Sequence, residues 1–289
     1  TELTRQSWTT LVLLSLGGLV AVLPMTGYDI AITHLLPGKF KPFYIFRSGW
    51  ITNTLTNVAG FGGLLGATLR AHFYGQQASR NQILAAIAKI AIFLLAGLSL
   101  LCWLALVMMF GFHQGGHFNR YAIWLVGGGL YFPVVLLLTR QNNGLLFKEM
   151  SFKFKAWVTF TSTLEWLLVA GFFILIGASL GIHTNLAAVF PLYVVAQVLG
   201  VVSMLPGAIG SFDVMMLIEL TLLGVPRSTA VVWLLLFRVF YYLLPLVLGL
   251  IFFVHYLAVH VRFGDLYAVG RFGPGSDGLQ PALTTPLPV

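Results

Sequence analysis

Four carboxylates stand in the apolar heart of this chain: Asp29, Glu165, Asp213 and Glu219, half of its eight acidic residues. A charge at the centre of a bilayer costs about 2.5–3.5 kcal/mol on insertion scales, so such residues persist mainly where they face a polar cavity, a partner or a ligand. Two arginines accompany them: Arg70 closes a glycine-rich stretch and Arg238 lies deep in the last apolar run. A guanidinium is planar, always charged and able to bond two oxygens at once, so arginine and carboxylate in one groove can hold phosphate and ammonium groups together. Asn53 and Asn57, four residues apart, share one face of any helix there. They either line a polar path or hold the bundle together through interhelical hydrogen bonds.

Each of these residues has a plainer reading beside the functional one. Asp29 ends the first apolar run, where a carboxylate can sit at headgroup level or cap a following turn. Arg70 suits a snorkelling anchor. Glu165 lies some ten residues into its run, too deep for a helix end, and its alternative is a neutral buried acid. Asp213 follows the sequence PGAIGSF, where it can meet a headgroup beside exposed backbone or cap the next helix. Glu219 falls six residues further on and off the face of Asp213. Arg238 is deep enough to need a carboxylate, with Glu219 or Asp213 as the candidates, and Glu219 with Arg238 is read as a structural ion pair.

The elements that position these residues are membrane helices. Hydrophobic residues make up 58% of the chain and charged ones 8%, with a mean hydropathy of +0.92. Crossing about 30 Å of hydrocarbon takes roughly 20 helical residues. Runs of that kind occur at 8–27, 83–111, 121–139, 156–181, 186–204 and 229–257. Two segments are interrupted: 48–69 by Asn53, Asn57 and glycines including Gly62 and Gly63, and 208–223 by Pro206, Gly207 and Gly210 at its start. Such backbone survives at membrane depth only inside protein or beside a wet cavity. Paired interrupted segments in opposite halves of a chain point to a transporter's central site, so the two are expected to meet around a cavity lined by Asp29, Arg70, Glu165 and Asp213.

Lys and Arg in short loops mark the cytoplasmic side. The loop 140–155 holds Arg140, Lys148, Lys153 and Lys155, and 36–47 holds Lys39, Lys41 and Arg47. Both belong inside only if 48–69 is a re-entrant hairpin or a pair of half-helices. The expected fold is therefore all-α, a polytopic membrane bundle of about seven spans plus one re-entrant or broken element. It covers 1–260, with a flexible tail or linker over 261–289 and the C-terminus cytoplasmic. Residue 1 then falls outside, which suggests a longer parent with an earlier helix.

Several chemistries are absent from the sequence. Cys102 is the single cysteine, and His113 and His117 flank a Gly-Gly loop that gives no fixed ligand geometry, so no metal site is expected. No Walker loop, Gly-x-Ser-x-Gly elbow or His-Glu-x-x-His helix occurs, and no catalytic residue or cofactor is assigned. The net charge of +8 lies on the cytoplasmic flanks, where it suits anionic lipid, and no basic stripe with interleaved aromatics argues for nucleic acid.

Three stretches carry a resemblance: MTGYDIAITHLL around Asp29, NTLTNVAGFGGLLGATLRAHFY containing Arg70, and the long run from VVSMLPGAIGSFDVMM through FRVFYYLLPLVLGL. Over most of 8–257 the chain resembles the N-terminal membrane region of bacterial multiple peptide resistance factor (MprF), also called phosphatidylglycerol lysyltransferase. The resemblance implies a flippase domain in the cytoplasmic membrane that carries lysyl-phosphatidylglycerol to the outer leaflet and so repels cationic antimicrobial peptides. It also implies that Asp29 and Arg70 match the family's acidic site and its arginine. The family's aminoacyl-tRNA-dependent transferase domain has no counterpart here, so synthase activity is not expected of this chain. Two other readings remain open: a transporter of another glycolipid or polyprenyl-linked lipid, and a membrane scaffold for a separate synthase. Assembly as a homo-oligomer fits any of the three.

Overall fold

The computed structural model describes residues 7–59, 62–111, 119–140, 150–182 and 186–270, and among these there is no strand. The first span, Trp8–His34, is 27 residues long and is made of α1 (Trp8–Val22) and α2 (Thr26–His34). Pro24 cannot donate a backbone hydrogen bond, and a 3-10 turn, Leu23–Met25, bends the chain between the two helices.

The interrupted segment at 48–69 is a helical hairpin. α3 (Pro42–Ala59) and α4 (Gly62–Tyr74) run back against each other, with Gly62 and Gly63 opening the second arm. At the open end the Tyr44 hydroxyl donates to the Phe73 carbonyl at 2.7 Å, and Ser48 Oγ meets the Tyr74 hydroxyl at 3.0 Å. Both outer ends of the hairpin thus lie on one side, as the loop charges require.

α5 (Arg80–Ala91) starts from a capping box in which Ser79 and Gln82 exchange hydrogen bonds, and α6 (Ala96–Gly111) continues its direction. The sequence reads 83–111 as one uninterrupted run, but the helix breaks at 92–95. Side chains satisfy the carbonyls freed there. Tyr131 donates to Ile92 O at 2.8 Å, while Ser162 Oγ and Trp166 Nε1 donate to Leu94 O at 2.8 and 3.1 Å. Ser162 Oγ also accepts the Gly97 N–H at 2.9 Å.

α7 (Ala122–Arg140) and α8 (Phe152–Ser179) follow, the latter capped by Ser151 Oγ on the Phe154 N–H. α9 (Leu186–Ser203) leads into the second interruption and then α10 (Ser211–Leu222). α11 (Arg227–Phe237) passes through a π-helical turn, Arg238–Leu243, into α12 (Leu244–Gly270).

Among the described residues, five helical stretches are long and apolar enough to cross a membrane, which does not by itself confirm the expected count of about seven. α9 is a further apolar helix of 18 residues. α10 has 12 residues, about 18 Å at 1.5 Å per residue, which falls well short of the hydrocarbon thickness. It packs beside α9 and α11 as a partial element. α12 runs on to Gly270, into the stretch expected to be a flexible tail, while 271–289 and both His113 and His117 lie outside the described residues.

In lipid, helices gain nothing from hiding apolar surface, so they associate through close packing and interhelical hydrogen bonds. Gly18 lies against the Phe240 carbonyl and Gly97 against the Ser162 backbone, so closely that a Cβ at either would collide with main-chain atoms. Around α8, Trp233 stacks on Phe173 with ring centroids 5.0 Å apart and donates Nε1 to the Phe173 carbonyl at 2.7 Å. The positively charged ends gather on one side. His34 stacks on Phe154, Lys155 donates to the Thr139 carbonyl, and the Arg47 guanidinium lies over Tyr256.

Candidate functional site in the membrane interior

Asp29 is fully buried on α2, and four donors converge on its carboxylate. Arg70 of α4 gives Nε to Oδ1 and Nη2 to Oδ2, each at 2.9 Å. The Tyr74 hydroxyl donates to Oδ1 at 3.0 Å and Asn53 Nδ2 to Oδ2 at 2.9 Å. Asn53 ties the group further, taking Arg70 Nη2 on its own oxygen at 2.9 Å and donating to the Met25 carbonyl at 3.0 Å. This is a closed network between the hairpin and the first span. A carboxylate so engaged has little capacity left for a ligand, so the expectation that Asp29 lines the cavity is corrected: it stands behind Arg70 and fixes it. None of these bonds uses Arg70 Nη1.

Arg70 lines a cavity of about 340 Å³ together with Asn53, Thr56, Asn57 and Glu165. Gly63, at the start of the second hairpin arm, is part of its wall. Glu165 of α8 is 9% exposed, accepts a hydrogen bond from the Tyr28 hydroxyl, and pairs with no cation among the described residues. The same Glu165, with Asn57, Thr56 and Trp166, borders a second cavity of about 370 Å³. That one is closed by Gln197 of α9, the break at 204–208, and Tyr241 and Tyr242 of the π-helical turn. The wide turn of a π segment re-aims its side chains, and here it brings both tyrosines to the cavity.

The second interruption is strained as well as broken. Met204, Gly207, Ala208 and Gly210 all have positive φ, and Pro206 opens a single 3-10 turn, Pro206–Ala208. Asp213 Oδ2 accepts the Gly210 N–H at 3.1 Å, so the capping reading of this residue holds. It also binds Arg238, which gives Nε to Oδ1 at 3.0 Å and Nη2 to Oδ2 at 2.8 Å, while Nη1 reaches the Gly207 carbonyl at 2.6 Å. Arg238 therefore pairs with Asp213, and the expected Glu219–Arg238 pair is corrected. Six residues along α10, Glu219 points elsewhere and meets Arg120 Nη2 at 2.7 Å and the Tyr121 hydroxyl. Asp213 and Arg238 line a third cavity of about 520 Å³, which shares Gly207 and Tyr242 with the second.

The two interruptions meet, since a Cβ built on Gly207 would lie 3.6 Å from the Asn57 carbonyl of the hairpin. Of the four residues expected around one cavity, the structure brings Arg70 and Glu165 together, sets Asp29 behind Arg70, and puts Asp213 in an adjoining space. Reading the sequence missed Tyr28, Tyr74, Trp166 and Gln197. The usable signal was a polar tip inside an apolar run, because a buried hydroxyl or indole N–H finds a partner.

These features define a multi-pass helical membrane protein with ionisable side chains gathered around linked interior cavities. No protein-family model matches the chain. The phosphatidylglycerol lysyltransferase of Bacillus subtilis (strain 168) is 30% identical over 255 residues, 84% of this chain and 29% of its own length. That of Staphylococcus aureus (strain MRSA252) is 28% identical over 257 residues, 86% of this chain and 30% of its own length. The chain is thus related over most of its length to the phosphatidylglycerol lysyltransferases, the MprF proteins, and spans about 30% of the length of those it matches.

Proposed function

We propose that this chain, through its helical body at 1–260, moves aminoacylated phosphatidylglycerol, lysyl-phosphatidylglycerol above all, from the inner to the outer leaflet of a bacterial cytoplasmic membrane. The basic flanks and the C-terminus face the cytoplasm in this reading. The displayed lipid lowers the negative surface charge and so repels cationic antimicrobial peptides. One observation carries the proposal: among the described residues, Arg70 and Arg238 on the cavity walls each have a carboxylate partner, and Glu165 has no cation. A lysyl headgroup carries two ammonium groups and one phosphate. An ammonium supplies Glu165 with its missing charge, and Arg70 Nη1 faces the phosphate from a guanidinium held still by Asp29 and Asn53. The kinship with proteins named phosphatidylglycerol lysyltransferase supports that choice of lipid. Asn57, Gln197 and the tyrosine hydroxyls offer hydrogen bonds along the way, and the tails stay in the bilayer.

The test is outer-leaflet lysyl-phosphatidylglycerol, read by amine labelling of intact cells that express a separate synthase and the full-length protein, wild type or Glu165→Gln. A hydrogen bond to a charged group contributes about 1.5–3 kcal/mol, so exposure should fall by about 10- to 100-fold at constant total lipid and protein. Unchanged exposure sinks the proposal and favours the scaffold reading.

A further inference from the structure

A groove of about 460 Å³ runs over the outside of the bundle between the start of α6, α7 and α9. Its walls are apolar, and Ile123, Trp124 and Val202 are exposed along it. Leu95 belongs both to this groove and to the cavity holding Arg70 and Glu165, and Val201 belongs both to the groove and to the second cavity. The wall between charged interior and apolar exterior is the break at 92–95, where the helix has given up its own hydrogen bonds to Tyr131, Ser162 and Trp166.

Resting on the headgroup reading above, we propose that this groove is the acyl-chain subsite for the same lipid. A diacyl lipid with a cationic headgroup places the head at Glu165 and lays one chain over Leu95 into the channel beside Trp124, Gly127 and Tyr131. The occupant follows from continuity of chemistry: an interior lacking one positive charge joins, across one residue, a surface with no polar demand. A soluble amino acid has no use for the groove, and a neutral lipid has no use for Glu165. Lipid tails gain little by leaving other tails, so the groove contributes through packing and orientation and its effect on affinity is small.

Gly127 supplies the test, because a Cβ there meets nothing within 4 Å, so a side chain enters the groove without displacing the backbone. Replacing a helical glycine also favours the helix. Full-length protein in phosphatidylcholine nanodiscs is irradiated with lysyl-phosphatidylglycerol, or with a neutral diacylglycerol of identical tails, each bearing a diazirine at one chain end. Labelled peptides are then mapped. The lysyl probe should label the Trp124 to Tyr131 stretch about three- to tenfold more than the neutral probe, within the modest range that packing allows. Gly127→Phe should remove that excess, Gly127→Ala should keep it, and Glu165→Gln should reduce it to the level of the neutral probe. Equal labelling by both probes, with lysyl-lipid binding still dependent on Glu165, overturns the acyl subsite and leaves the headgroup reading intact. Lysyl-lipid binding indifferent to Glu165→Gln overturns the headgroup reading, and the subsite with it.

Discussion

Asp29→Asn tests whether the buried pair at the base of the cavity is a strut or a ligand site. The substitution keeps the size of the side chain and removes its charge. Four donors remain aimed at it, two from Arg70 at 2.9 Å and one each from Asn53 and Tyr74. The amide NH2 must face donors, and the guanidinium, on a residue 9% exposed, loses its counter-charge. Removing one partner of a buried ion pair costs about 3–5 kcal/mol because the other charge is left uncompensated. Removing both costs less than the sum of the two single losses, so Asp29→Asn and Arg70→Gln should show a coupling of roughly 1–3 kcal/mol. Denaturant or thermal unfolding of the purified protein in one detergent, read by tryptophan fluorescence, measures all four corners of the cycle. The double variant should fold yet remain defective in lipid exposure, since it lacks the arginine that faces the cavity. Additivity within about 0.5 kcal/mol, or Asp29→Asn no less stable than wild type, would show that Asp29 does not hold Arg70 and would refute the strut.

Other sites give further expectations. Gly97→Ala drives a methyl into the Ser162 backbone, and overpacking of this kind costs about 1–3 kcal/mol, visible as a lower unfolding midpoint with membrane insertion retained. Gly207→Ala puts a side chain at φ 54°, a conformation costing about 1–2 kcal/mol for an L residue. It should destabilise the break and slow lipid exposure together. Arg238→Lys keeps the charge but cannot reproduce the bidentate grip on Asp213 or reach Gly207 O at the same time. It should lower stability by about 1–3 kcal/mol, and Asp213→Asn in that background should add little.

The helices were legible from apolar run lengths, and the hairpin from a conflict of loop charges: Lys39, Lys41 and Arg47 in one loop and Arg140, Lys148, Lys153 and Lys155 in another demanded the same side, which a single span over 48–69 forbids. Asn53 and Asn57 both line the cavity, and Asn53 also acts as interhelical glue to Asp29, Arg70 and Met25, a double role that spacing alone could not reveal because it depends on what each neighbour presents. The pairing of Arg238 was open between two acids and was settled by the left-handed turn at 207–210, which swings the start of α10 so that Asp213 faces the arginine. The break at 92–95 was hidden because its supports, Tyr131, Ser162 and Trp166, come from two other helices, and nothing in the apolar run IFLL marks a lost hydrogen bond. At α10 hydropathy sees an apolar run at 208–223 but not that the turn at 204–210 precedes a helix of only 12 residues.

A carboxylate without a counter-charge in an apolar body is costly, so Glu165 must be offset by something other than stability of the resting fold. Asp29 and Asp213 are cancelled by fixed arginines, which makes them part of the scaffold. Among the described residues Glu165 meets the Tyr28 hydroxyl and no cation, and it opens to two cavities at once. At an effective dielectric of about 20, a cation 4 Å away gains about 4 kcal/mol with such a group, and an anion loses as much. On the proposed reading, phosphatidylglycerol, with one net negative charge, would be disfavoured where its lysyl ester, with one net positive charge, is favoured, and Glu165 would set the choice between product and precursor. Supplying an internal cation should abolish that choice: Val169→Lys, one turn along α8 on the wall of the second cavity, would pair with Glu165 and leave lysyl-lipid and precursor bound alike. Retained preference for the lysyl lipid in that variant, measured by competition between the two lipids in nanodiscs, would show that Glu165 is not the source of selectivity.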